Sequence, residues 1–192
     1  MQSDQVIALF KKCGALLDGH FILSSGLHSS GYLQSALVLQ HPKHATAIGV
    51  ALADRVSVLT PGVVVSPALG GLIIGHEVAR ALGVRALFVE RQDGKLVLRR
   101  GFNLEPGERL IVVEDVVTTG GSTQETINLV RELGGVVVGA STIINRGGQH
   151  VFSETRLEAL AEVSLPTYEL NKCPLCIQGV SLTKPGSRNN SK

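Results

Sequence analysis

The chain has 192 residues, 44% apolar and 18% charged, with a net charge of +2. These proportions suit one domain with a single sizeable core and exclude a disordered chain, and no apolar run approaches the roughly 20 residues that span a bilayer. Residues 171–192 hold Lys172, Lys184, Arg188 and Lys192 with no acid, which leaves −2 on the rest and argues against a basic, nucleic-acid-binding face.

In chain order, Ser3 is placed to cap a helix reaching about residue 17, with Val6, Leu9, Phe10 and Cys13 at helical spacing. Residues 20–39 read as two short strands around a turn at Ser25-Gly26. His41-Pro42 opens a second helix, to about residue 59. A strand over 62–66, a helix over 71–82 and a strand over 85–90 follow. The segment 91–108 is polar and glycine-bearing. It leads to a strand over 109–114, a helix over 124–133 and a strand over 136–144. A short helix near 153–161 and a strand over 162–168 complete the pattern, and the last few residues of the tail beyond Asn171 are expected to be disordered. Val/Ile/Leu-rich strands alternating with helices imply an α/β fold with a mostly parallel sheet covered on both faces. The first residues carry an acid and no basic cluster, unlike a secretory leader, so a cytoplasmic protein is expected.

Residues 111–123 read Ile-Val-Val-Glu-Asp-Val-Val-Thr-Thr-Gly-Gly-Ser-Thr. A buried strand delivers Glu114 and Asp115 to a Thr/Gly/Ser turn that opens a helix. Such a turn offers backbone N–H groups and hydroxyls to a phosphate, and the helix N-terminus adds partial positive charge. The carboxylates stand where they can reach ribose hydroxyls or a hydrated magnesium ion. Three other segments carry candidate groups, and the first and last of them follow strands at the same carboxyl edge of the sheet. In Ser66-Pro67-Ala68-Leu69-Gly70-Gly71, proline and two glycines permit a turn whose N–H groups point outward as an anion nest. Residues 91–102 supply Arg91, Lys95, Arg99 and Arg100, as a closing loop or as a solvated hairpin turning at Asp93-Gly94. Asn145-Arg146 ends a strand, where an arginine can hold a carboxylate bidentately.

The run 111–123 resembles the 5-phosphoribosyl-1-pyrophosphate (PRPP) motif of type I phosphoribosyltransferases, with Asp115, Thr118, Thr119, Gly120, Gly121 and Ser122 in register and Glu114 where many members have aspartate. Residues 21–32, through Ser25, Gly26, Ser29 and Tyr32, resemble the hood segment of the orotate phosphoribosyltransferases. Some members of that family also share a C-terminal Cys-Pro-Leu-Cys and Lys-Pro-Gly-Ser, here 173–176 and 184–187. The resemblance implies a type I phosphoribosyltransferase fold in one domain: helix and hood over 1–40, α/β core over 41–170, tail over 171–192. It implies transfer of phosphoribose from PRPP to orotate, with Mg²⁺ held through water or PRPP near Glu114 and Asp115 rather than directly by protein.

Under that reading Glu114, Asp115, Val116, Val117, Thr118, Thr119, Gly120, Gly121 and Ser122 bind PRPP. Pro67, Ala68, Leu69, Gly70 and Gly71 form the pyrophosphate loop, often built in this family on a cis or otherwise strained peptide. Thr118, Arg146, Ser25 and Tyr32 take orotate, and Lys95, Arg91 and Asp115 serve catalysis. A cytoplasmic homodimer is implied, its mobile loop serving the partner's site. Ser24, Leu69 and Gln92 depart from the family by lacking a cation. The alternatives are a purine or uracil phosphoribosyltransferase, for which Arg146 has no carboxylate to hold, and a PRPP-sensing regulator that binds nucleic acid, which the charge disfavours.

Of the three cysteines, Cys13 reads as a small core residue, and the odd count does not suit a disulfide framework. Cys173-Pro174-Leu175-Cys176 has the spacing of half a zinc site, but no second pair exists and no histidine follows it. Structural cysteines in an ordered C-terminal strand are expected, with a four-cysteine site across a dimer as the alternative.

Overall fold

The computed structural model describes residues 1–23, 26–147 and 154–184. Helix α1 (Ser3–Lys12) starts from a capping box formed by the side chains of Gln2 and Gln5, not from a Ser3 cap. It stops at Gly14, whose φ of +64° is left-handed, so the expected last turn is instead the start of β1 (Leu16–Ile22). This strand pairs antiparallel with β2 (His28–Leu33). The stretch expected to continue as strand becomes a short helix, α2 (Ala36–Leu39), leading into α3 (Pro42–Val56).

Strand β3 (Val63–Pro67), helix α4 (Gly71–Leu82) and strand β4 (Arg85–Gln92) follow. Segment 91–108 is not simply a polar loop. Strand β5 (Lys95–Leu98) folds back antiparallel on β4, and Asp93 and Gly94 turn the hairpin at φ +50° and +83°. Strand β6 (Arg109–Val117) runs three residues past the expected end, and α5 (Gly121–Glu132) begins three residues early. Strand β7 (Val136–Asn145) follows.

Residues 157–161 correct the expected helix: they lie in β8 (Leu157–Glu162), which pairs parallel with β7. Of the strand expected over 162–168, Glu162 ends β8 and Thr167–Tyr168 form β9, which joins β2. The cysteine pair lies not in a strand but at α6 (Pro174–Ile177), one helical turn behind a 3₁₀ turn. The end of the tail lies outside the described residues, as do Ser24 and Ser25.

The large sheet has the order β5-β4-β3-β6-β7-β8, parallel except for β5, and a smaller sheet has the order β1-β2-β9. Side chains of a strand alternate between faces, and the core divides accordingly. Val64, Ile111 and Val113 pack with α1, α3 and α4, while Val63, Val65, Leu110 and Val112 pack with Ile127 and Val130 of α5. Both faces are therefore covered, which a parallel sheet requires. Among the described residues no helix is long and apolar enough to cross a membrane.

Candidate active site

The loops at the carboxyl ends of β3, β6 and β7 converge. Asp115, near the end of β6, accepts a hydrogen bond from the Ser35 hydroxyl just before α2. Across from it the β3–α4 turn comes so close that a Cβ on Gly70 would lie 2.6 Å from Asp115 Oδ1. The nest and the acidic motif thus form one surface. Within the turn the Ala68–Leu69 peptide is cis, and the Leu69 side chain is 83% exposed. Gly120 takes φ +79° immediately before α5, a conformation that a β-carbon would penalise, so the backbone can wrap toward a bound phosphate.

Two cavities divide the work. A larger one of about 410 Å³ is lined by Ile22, Leu23 and Tyr32 of the hood together with Ser35, Gly70, Asp115, Thr118, Thr119, Arg146 and Lys184. The smaller, about 230 Å³, is lined by Glu114 and by the loop from Val116 to Thr123. Thr118 and Thr119 belong to both and make them continuous. The large cavity has an apolar wall and a few convergent polar groups, as a small planar ligand needs. The small one offers backbone N–H groups, hydroxyls and a helix N-terminus, as an anion needs.

Charge is unevenly distributed over this surface. Arg146 donates to Ser29 Oγ at 3.3 Å, and its Nε is buried with no hydrogen-bond partner among the described residues. Burial lowers the Arg146 pKa, but a guanidinium remains a cation throughout the physiological range. Tyr32 keeps its phenolic proton more tightly than usual, because of burial and then the nearby Asp115 carboxylate. Burial, followed by the adjacent Asp115 charge, holds the Glu114 carboxyl well above the usual carboxyl range.

The structure gathers most of the residues expected from sequence and leaves some apart. Pro67 to Gly71, Glu114 to Ser122, Tyr32 and Arg146 all belong to the converging loops or their cavities. Ser25 lies outside the described residues. Arg91 and Lys95 are on the β4–β5 hairpin, where Arg91 pairs with Glu125 at 2.9 Å and Lys95 borders a groove along α5. Arg100, also on that side, pairs with Glu90 at 2.9 Å.

Lys184, which opens the Lys-Pro-Gly-Ser shared with some family members, has a place in the site that its motif did not imply. Thr183 bonds the β1 backbone on both sides, to His20 O and Ile22 N, and thereby delivers Lys184 to the cavity. The sequence signal was that shared Lys-Pro-Gly-Ser, which carries no direction by itself.

Comparison with known proteins agrees with this geometry. The family model described as a phosphoribosyl transferase domain matches residues 35–158. An orotate phosphoribosyltransferase of Pelotomaculum thermopropionicum is 50% identical over 98% of this chain and 99% of its own length. One from Desulforamulus reducens is 49% identical over 98% of each. The crystal structure of orotate phosphoribosyltransferase from Aeropyrum pernix superposes with a TM-score of 0.68 at 27% identity, covering 82% of this chain and 93% of that one.

Proposed function

The chain belongs to the orotate phosphoribosyltransferase family, and from that membership we propose that it converts orotate and PRPP to orotidine 5′-monophosphate and pyrophosphate, a step of pyrimidine nucleotide synthesis. One observation favours orotate among nucleobases: Arg146, held beside the hood through Ser29, lines the larger cavity, where a guanidinium suits a carboxylate on the base. A purine or uracil has no such group to offer.

In this reading the bond from orotate nitrogen to the anomeric carbon forms as the bond from that carbon to pyrophosphate breaks. The chain's part is positioning and charge stabilisation, with no side-chain nucleophile. The loop from Thr118 to Ser122 holds the 5′-phosphate against α5, and Asp115, oriented by Ser35, accepts from the ribose hydroxyls. Backbone N–H groups of the turn from Pro67 to Gly71 take the departing pyrophosphate. Tyr32 and Arg146 close the base end.

The acids present fit Mg²⁺ that arrives with its phosphate ligands: Glu114 and Asp115 offer hard oxygens but no closed cage. Mg²⁺ would neutralise the leaving pyrophosphate. We further read the working form as a cytoplasmic homodimer in which Arg91, Lys95 and their hairpin serve the partner's cavity, since they stand away from their own.

The test is absorbance loss of orotate with PRPP and Mg²⁺, with uracil, adenine and hypoxanthine in parallel. Turnover of orotate alone is expected. Turnover of another base would refute the assignment of Arg146, and silence with every base despite PRPP binding would overturn the enzyme reading.

A further inference from the structure

The cysteine pair that looked like half a metal site from sequence acquires its other half from the hood. His20 on β1 and His28 on β2 are brought together by the hairpin, in which Ile22 pairs with His28 and Phe21 with Ser29. Cys173 caps α6 and Cys176 stands three residues on, so one helical turn presents both sulfurs to the same side. One ligand atom from each of the four residues lies within 4.8 Å of all the others. We propose that His20, His28, Cys173 and Cys176 bind one zinc-class divalent cation in a tetrahedral Cys₂His₂ site internal to each chain.

The separations fit such an ion. A tetrahedron built with Zn–N of about 2.05 Å and Zn–S of about 2.3 Å has N···S edges of about 3.5 Å and an N···N edge of about 3.3 Å. Cys173 Sγ is 3.5 Å from His20 Nε2, and Cys176 Sγ is 3.7 Å from His20 Nε2 and 3.3 Å from His28 Nδ1. His20 Nε2 and His28 Nδ1 stand 2.8 Å apart, somewhat closer than they would about an ion. Two sulfurs and two imidazoles in this arrangement select zinc over magnesium or calcium, which prefer oxygen.

The surroundings point the same way. His20 Nδ1 lies 2.8 Å from the Val180 carbonyl, to which only a protonated Nδ1 can donate. That bond leaves the Nε2 lone pair turned toward the two sulfurs, the orientation in which an outer hydrogen bond sets a metal-bound histidine. His20, His28 and Cys173 are all buried, and Cys176 stands on the solvent side, where an ion can enter. Binding changes no oxidation state: both thiols lose their protons to solvent and the imidazoles bind neutral.

The site also has a place in the architecture. It fastens the tail to the hood just before Thr183 pairs with β1 and Lys184 reaches the larger cavity. That bearing on substrate rests on the proposed function; the presence of the ion does not.

The test measures metal rather than turnover, on the full chain purified without chelator. Elemental analysis should find one zinc per chain. Cobalt(II) in its place should give the intense visible bands of tetrahedral thiolate coordination. Cys176→Ser should lose the ion, while Cys13→Ser keeps it. Cys173 and Cys176 should resist alkylation until a chelator is added. Trace metal with no cobalt bands would overturn the site, as would full metal in Cys176→Ser. One ion per two chains would overturn its intrachain geometry. If Cys176→Ser is insoluble, the cobalt spectrum and the alkylation pattern of the unaltered protein still decide.

Discussion

The Arg146 guanidinium reaches Ser29 Oγ across 3.3 Å, joining the end of β7 to a hood strand that precedes it by 117 residues. Ser29 in turn donates to the Pro166 carbonyl at 2.9 Å, so the arginine leans on a hydroxyl that is itself fixed. Arg146→Ala should raise the KM for orotate about 10- to 100-fold, the range for losing hydrogen bonds to a charged group. The KM for PRPP should change little. Arg146→Lys should recover only part, since an ammonium cannot form the two parallel bonds. Steady-state kinetics varying each substrate in turn check this; equal losses for both substrates would remove Arg146 from the base site.

Asp115→Asn keeps the shape of the side chain and removes its charge. Turnover should fall on the order of 10²-fold, comparable to deleting one electrostatic contact to a transition state. Denaturant unfolding should shift little, because the carboxylate is only half-buried and faces the cavity. Turnover near that of the unaltered chain would sink its assigned role.

Glu114 gives stability a pH dependence of definite sign. An unfolded glutamate titrates near about 4.3, whereas burial and Asp115 hold the folded group well above that. Between those values the folded chain carries a proton that the unfolded chain lacks. Stability from this group is therefore full below the unfolded value and declines as pH rises through the folded one. Glu114→Gln should remove that decline, so its stability relative to the parent should improve from pH 5 to pH 8. Urea titrations at both values check it, and parallel slopes would refute the shift.

Gly49 is the point where α3 meets α4. A Cβ there would lie 2.6 Å from Glu77 Cβ and 2.9 Å from its carbonyl carbon, and backbone cannot swing aside. Gly49→Ala should cost about 1–3 kcal/mol through overpacking, despite the better helix propensity of alanine. The change in urea midpoint measures it, and a midpoint raised by the substitution would show that the two helices part freely.

What could be read from sequence was what depends on neighbours along the chain. The PRPP motif is contiguous, and both strand and turn follow from its own residues. Leu157-Glu158-Ala159-Leu160-Ala161-Glu162 shows the opposite: strong helix formers drawn into a strand by pairing with β7. The placement of Lys184, and of the histidines opposite Cys173 and Cys176, was invisible for a related reason. Each is positioned by a partner about 150 residues away, and nothing in local spacing marks such a meeting. Lysines absent at 24, 69 and 92 were evident from the motif, but the arrival of Lys184 from the tail at the same cavity was not.

The smaller sheet closes only when β9 meets β2, a pairing whose neighbouring contacts span 137 residues. Closing so long a loop is entropically slow, and its cost falls sharply once the large sheet has drawn the ends together. A refolding chain should therefore recover its parallel sheet first and its base pocket last. Fluorescence of a probe beside Tyr32 should lag amide protection in β3, β6 and β7, making competence to bind the final event of folding.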